Sequence, residues 1–262
     1  MRQMKKQIMD LRVMENVRLH AKYSLLKFTS DDPLPAMIPG QFVQVRVDGS
    51  PQTFLRRPLS VQYIDKAANE MWLLVQVVGE GTKRMSEYRP GDYVNMLLPL
   101  GNGFSIPQLP SASNILLIGG GVGTAPLLFL GDTLKSVGFQ PEFLIGARTK
   151  DDVLMLAEYE KIGHIYLTTE DGSMGEKGYV THHSILSKKP FDQIYTCGPK
   201  PMMVAVVSFA KASGIPCEVS LENLMACGFG ACLCCIEKTV QGNICACTEG
   251  PVFNMNQLTW QI

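Results

Sequence analysis

This 262-residue chain is expected to be multi-domain: an N-terminal antiparallel β-barrel, an open α/β domain with a parallel sheet, and a small C-terminal unit built on cysteines. Three observations predict this. The first hundred residues read as short apolar strands cut by turn signals. From about residue 114 strand-like and helix-like stretches alternate. Six of the eight cysteines then fall between Cys227 and Cys247. The expected division is 1–108, 109–216 and 217–262.

In FVQVRV (42–47), Val43, Val45 and Val47 share one face and Gln44 and Arg46 the other, the alternation of a half-buried strand. MWLLVQVV (71–78) is a longer, more apolar strand. IPG, VDGS and RPGD punctuate the region, and short strands so spaced indicate a barrel or sandwich. GNGF followed by PQLPSAS (107–113) marks a boundary.

NILLIGGG (114–121) is an apolar strand running into glycines. APLLFLGDTLKSVG has helical spacing, with Pro126 in its first turn and Gly138 at its end. PEFLIGAR, HIYLTTEDGS and FDQIYTCGP read as strands, and DDVLMLAEYEKIG (151–163) and KPMMVAVVSFAKASG (200–214) as helices. Such alternation means βαβ units and a parallel sheet.

Composition narrows the function. The 24 Lys+Arg balance the 24 Asp+Glu, so no basic excess points to nucleic acid. No apolar run approaches the roughly 18–20 residues of a membrane span. The basic start MRQMKKQIMD has no apolar segment after it, so no signal peptide is read and a reducing, cytoplasmic setting is expected. Clustered cysteines there bind metal or do redox work.

GGGVGTAP (119–126) stands between a strand and a helix, where Gly120, Gly121, Gly123 and Thr124 would let backbone approach a pyrophosphate. A tight turn without ligand is the alternative. TCGPKPMM places Cys197, Gly198 and Pro199 at a later strand's C-terminal end, where open α/β sheets bind ligands. In the β part, Arg57 and Ser60 of LRRPLS suit a phosphate, although a lone turn arginine is ordinarily a surface residue. GEGT (79–82) precedes a short helix, with Thr82 as the expected N-cap and Gly81 offering its amide. Two anion-friendly elements make a dinucleotide plausible in this part. His182 and His183, Cys217 and the Met-rich N-terminus read as surface or structural residues. No Ser–His–Asp or paired-carboxylate pattern is present, and no catalytic residue is expected.

MACGFGACLCC (225–235) has the spacing Cys227-x4-Cys232-x2-Cys235, with a further cysteine at 245 or 247. This is the plant-type [2Fe–2S] pattern. A zinc ribbon would prefer two C-x2-C pairs. Ala226, Gly228, Gly230 and Ala231 allow backbone N–H groups to turn towards sulfur. Cys234, adjacent to Cys235, is out of register and is expected to be a non-ligand.

RPLS, GEGT, PLGNGF, GGGVGTAP and CGPKPM, in that order, resemble the ferredoxin–NAD(P) reductase superfamily. MACGFGACLCC…CTEGPVF is similar to the electron-transfer subunits of two-subunit, NAD-linked bacterial dihydroorotate dehydrogenases. The resemblance implies FAD held by Arg57, Pro58, Leu59, Ser60, Leu74, Val75, Gln76, Gly81 and Thr82. Gln76 replaces an expected arginine. NAD falls to Gly120, Gly121, Gly123, Thr124, Cys197, Gly198 and Pro199, with EDGSMGEKGYVT (170–181) as a further family-like loop. The fourth cluster ligand, which precedes an acidic–Gly–Pro triplet, becomes Cys247, with Glu249 where Asp is commoner. The resemblance also implies an FMN-containing catalytic subunit that oxidises dihydroorotate, in a heterotetramer with two copies of each subunit. Electrons would pass singly through the cluster to FAD and leave as hydride to NAD+, in pyrimidine (UMP) biosynthesis. The alternatives are a flavin subunit of a sulfide dehydrogenase, hydrogenase or ferredoxin–NAD(P) transhydrogenase, and a flavin-free module with structural zinc.

Overall fold

The computed structural model describes residues 5–260; Met1 and Met4 of the Met-rich N-terminus lie outside them. The β part is seven antiparallel strands: β1 (Gln7–His20), β2 (Tyr23–Thr29), β3 (Phe42–Val45), β4 (Arg57–Ser60), β5 (Tyr63–Asp65), β6 (Glu70–Gln76) and β7 (Tyr93–Leu100). They lie in the order β4-β3-β7-β1-β2-β6-β5, and the sheet curls until β4 comes against β6. Val43, Val45, Val47, Leu73 and Val75 point into the barrel core with Leu11, Phe28 and Met96, as the period of two demands. Burying each such side chain contributes about 1.5–3 kcal/mol. Arg46 is exposed as expected, but its face-mate Gln44 is wholly buried.

The helix α1 (Glu80–Met85) begins at Gly79 rather than at Thr82. Thr82 sits inside the first turn, where its Oγ1 accepts from the Val78 and Gly79 N–H groups and donates to the Gly79 carbonyl. The threonine therefore caps its helix from within.

The second sheet contains β8 (Ile115–Gly120), β9 (Glu142–Ala147), β10 (His164–Thr169), β11 (Glu176–Lys177), β12 (Gln193–Cys197) and β13 (Cys217–Ser220). Its order is β11-β10-β9-β8-β12-β13, all parallel, so the winding reverses beside β8. Ile115 and Leu117 pack under α2 (Ala125–Ser136) through Leu127, Leu130 and Leu134. Leu116 and Ile118 face the opposite layer, where α5 (Lys200–Ala212) supplies Met203, Val206 and Val207. Two shorter helices, α3 (Leu156–Glu160) and α4 (Ile185–Lys188), complete the layers.

The helix expected over 151–163 shrinks to α3. Met155 takes a left-handed backbone (φ 54), and Leu154 buries against Tyr23, Leu74 and Ala125 instead of continuing a helix. That contact joins the two domains.

The expected boundary at 216/217 falls beside β13, which the hydrogen bonding carries into the sheet. After the hairpin β14 (Ile236–Thr239) and β15 (Gly242–Cys245), the chain returns as β16 (Val252–Asn254), antiparallel to β13. The cysteine loops thus leave and re-enter the α/β sheet. They are tied to the barrel at the end of β7. The Asn102 N–H donates to the Gly250 carbonyl at 2.6 Å, and its side chain donates to the Thr248 and Glu249 carbonyls. Gly101 has φ +73, and a Cβ there would lie 2.6 Å from Pro251 Cδ. Gly101→Ala should therefore cost about 1–3 kcal/mol. Thermal melting should report a Tm several degrees lower, and an unchanged Tm would contradict a tight seam.

Candidate functional site

The reversal of strand order between β8 and β12 opens a crevice at their C-terminal ends, where such sheets bind ligands. Gly119 pairs with Cys197 across these strands, so the glycine loop and the Cys197-Gly198-Pro199 turn emerge side by side. They touch: a Cβ on Gly123 would lie 2.4 Å from the Gly198 Cα and 2.5 Å from its nitrogen. Gly120 likewise abuts Pro199 and Met202, and Gly121 has φ +56. Thr124 is buried; its Oγ1 donates to the Gly121 carbonyl and its own carbonyl accepts from Tyr159. The predicted nucleotide residues therefore converge. Cys197 does so as a packing residue: it is buried, and burial pushes its thiol well up.

On the barrel, Arg57, Pro58, Leu59 and Ser60 form β4, half-buried along its whole length. The Arg57 guanidinium donates to the Leu55 carbonyl. A Cβ on Gly81 would lie 3.0 Å from Arg57 Nε and 3.0 Å from Thr53 Cγ2, so arginine and helix start are in contact. The first-turn amides of Glu80, Gly81 and Thr82 have no intrahelical carbonyl to bond. A guanidinium beside free amides fits a pyrophosphate. On β6, Val75 points into the barrel core and can offer a ligand only its backbone. Leu74 packs between the domains beside Ala125. Gln76 donates to the Tyr23 hydroxyl at 3.0 Å.

The cysteine loops gather their thiols. Cys227 and Cys232 contact each other, and Cys235 contacts both Cys247 and Cys245. Backbone amides point at sulfur: Phe229 N–H donates to Cys227 Sγ at 3.5 Å, and Cys247 N–H to Cys235 Sγ at 3.4 Å. Gly228 (φ +77) and Gly230 (φ +90) take the backbone left-handed to allow it. Against the opposing effect of burial, the amides of Phe229, Cys232 and Ala231 and the Cys232 thiol bring Cys227 down to about 6. Burial and then the Cys235 thiol push Cys247 up to about 12. Cys245 also lies beside Cys235, whereas Cys234 is exposed. Clustered thiols faced by backbone amides suit an anionic iron–sulfur cluster.

The histidines take structural parts: His183 Nδ1 accepts from Ile185 N–H, and burial lowers its pKa, while His182 is exposed. Residues not anticipated from sequence include Tyr23, whose hydroxyl lies between Gln76 and Gly121, and Thr53, Asn102 and Gln44. Asn102 belongs to the PLGNGF motif; nothing local marks the others.

Residues 222–259 match the iron-sulfur cluster binding domain of dihydroorotate dehydrogenase B, and residues 117–208 match the oxidoreductase NAD-binding domain. The chain is 35% identical over 254 residues to the dihydroorotate dehydrogenase B (NAD(+)) electron transfer subunit of Fusobacterium nucleatum, covering 94% of this chain and 96% of the relative. It belongs to that family. The subunit of Desulforamulus reducens is 36% identical over 97% of this chain and 99% of its own. Among solved structures, a chain of the NADH-dependent reduced ferredoxin-NADP oxidoreductase, studied for flavin-based electron bifurcation, superposes with TM-score 0.85 at 31% identity. That match covers 95% of this chain and 90% of the other. The cytochrome b5 reductase domain of Ulva prolifera nitrate reductase shares the fold, with TM-score 0.65, 17% identity and coverage of 80% and 94%. In this electron-transfer subunit the matched segments follow the architecture: 117–208 runs from β8 into α5, and 222–259 spans the cysteine loops.

Two substitutions test the site. Cys234→Ser should keep the broad visible absorption and iron content, and Cys235→Ser should lose both. Gly123→Ala, whose Cβ meets Gly198, should raise the KM for NADH at least about tenfold, equivalent to about 1.4 kcal/mol, with bound flavin retained.

Proposed function

We propose that this chain is the working electron-transfer subunit of a cytoplasmic NAD-dependent dihydroorotate dehydrogenase in pyrimidine (UMP) biosynthesis. Its partner is the FMN-containing catalytic subunit, in a heterotetramer with two copies of each. The observation that carries this reading is the seam at the end of β7. It holds the amide-lined cysteine loops against a barrel whose β4 bears the flavin motif. The residues that would hold a one-electron group and those that would hold a two-electron group are thus joined by direct hydrogen bonds. When bound, the [2Fe–2S] cluster moves single electrons, and FAD exchanges one electron at a time with the cluster and two with a nicotinamide.

The chain's own residues bind and orient. Cys227, Cys232, Cys235 and Cys247 would hold the cluster. The Cys247 assignment is supported by its N–H bond to Cys235 Sγ and by the Gly230 amide that faces its own sulfur. Arg57 and the Gly81–Thr82 amides take the FAD pyrophosphate, with Pro58, Leu59 and Ser60 along the flavin. Leu74 and Val75 contribute backbone, and Gln76 stands in for the family's arginine through a neutral amide that Tyr23 orients. Gly120, Gly121, Gly123, Thr124, Gly198 and Pro199 cradle NAD at the strand crossover, and Cys197 supports that turn from beneath. The division into 1–108, 109–216 and 217–262 describes these three roles, with the third part rooted in the second sheet. Proton chemistry on dihydroorotate belongs to the partner. No described helix is long and apolar enough to cross a membrane.

The bifurcating oxidoreductase structure favours a second reading, a ferredoxin-linked NAD(P) reductase subunit. One assay separates the two. Mixed with the FMN subunit, this chain should support dihydroorotate-dependent NAD+ reduction, and no NADH formation by a fully loaded mixture would overturn the first reading. Arg57→Ala removes a charged hydrogen-bond donor, typically worth about 1.5–3 kcal/mol. Its FAD Kd should therefore rise roughly 10- to 100-fold, measured by fluorescence titration of the flavin.

A further inference from the structure

Gln44 breaks the alternation of its strand. Arg46, two residues on and on the same face of the chain, is exposed, whereas Gln44 is 0% exposed. Both Oε1 and Nε2 of Gln44 are buried and lack a hydrogen-bond partner among the described residues. A buried amide without partners is costly, and the large majority of such groups in native proteins are satisfied; Gln44 is the residue at which both side-chain polar atoms lack a partner among the described residues. An aliphatic side chain would fill the same volume without that cost.

The cover over Gln44 is the cluster loop. A Cβ on Gly228 would lie 2.8 Å from Gln44 Cγ, 3.0 Å from Nε2 and 3.1 Å from Leu100 Cδ1. The amide therefore presses on the backbone immediately after Cys227. On its other side Gln44 is the direct partner of Pro58 across the β3–β4 ladder, and paired residues project to the same face. Pro58 lies within the flavin motif. The neighbouring guanidinium of Arg56 is engaged with the Gln44 and Asn95 carbonyls and the Asn95 side chain, leaving the Gln44 amide untouched. A neutral donor thus stands beside the strand that carries the flavin motif and beneath the residue that follows the first cysteine of the cluster loop. Cluster sulfurs accept hydrogen bonds and donate none, so the group on Gln44 that can serve them is its NH2.

We propose that the Gln44 side-chain amide donates a hydrogen bond to a sulfur of the iron–sulfur cluster at its Cys227 end. The inference rests on the cluster assignment above. Gln44 is a positioning and tuning residue. A donor to sulfur stabilises the more negative, reduced cluster, so it raises the cluster's potential.

The test uses the full chain loaded with cluster and FAD. Iron and sulfide content and the reduced-cluster EPR signal of the wild-type protein come first; their absence sinks the cluster assignment itself. With the cluster present, Gln44→Leu and Gln44→Met should both retain iron. At fixed ambient potential their ratio of reduced to oxidised cluster should fall about tenfold, a one-electron shift of about 59 mV to lower potential. The flavin midpoint should not move. Wild-type protein labelled with 15N in its glutamine side chains should show a nitrogen coupling to the reduced cluster by pulsed EPR, lost in either variant. An unmoved cluster potential, a shift confined to the flavin, or no 15N coupling in the wild type would each overturn the proposal. The labelled wild-type measurement decides it even if a variant fails to fold.

Discussion

The rest of the structure hangs on the short contact between Gly101–Asn102 and Thr248–Pro251. It joins the last strand of the barrel to the loop that follows Cys247, through three hydrogen bonds from one asparagine. The cysteine loops are long and rich in small residues, and most of their large apolar side chains, Leu224, Phe229, Leu233, Ile236 and Val240, are exposed rather than packed together. They cannot hold their own shape by hydrophobic burial. Their position is set from outside, by the β13–β16 pairing on one side and by this seam on the other. Because the same seam ends at the barrel, it ties the thiols to the domain that carries the flavin motif.

A second constraint is electrostatic. The groups this chain is built to hold are anions: phosphates, a dinucleotide and an iron–sulfur centre. Its formal net charge is zero. On the proposed assignment it would meet those anions mainly with backbone amides, at the start of α1, in the turns after β8 and β12, and around Cys227 and Cys235. Amides neutralise by direction rather than by charge, and they need close approach. That need explains glycines where a Cβ would strike a neighbouring backbone, as at Gly123 against Gly198. It also explains a redox protein with few dedicated cations at its sites.

Much of the fold was legible because it follows from periodicity. The two helices flanking the central strand, the parallel strands and the barrel strand with Val43, Val45 and Val47 all rest on local pattern. Failures came where a neighbour outvoted it. Leu154 left a helical pattern to fill the gap between the domains, and Met155 turned left-handed to let it. Thr82 sat one turn late because its hydroxyl serves the amides before the helix. Gln44 read as a solvent-facing residue and lies under a loop 184 positions further along the chain. None of these neighbours is visible in a local window.

By itself the sequence determined the kinds of chemistry: the spacing Cys227-x4-Cys232-x2-Cys235, the glycine loop after an apolar strand, and arginine before proline at the flavin motif. Spacing carries this information because ligands bind to groups that are close along the chain. Only the tertiary structure decided which of these groups meet. It set the Gly123 turn on Gly198, Arg57 on Gly81, Tyr23 between Gln76 and Gly121, and Gln44 beneath Gly228. Those meetings depend on strand order and on packing between distant segments, which loop closure and burial settle for the whole molecule at once.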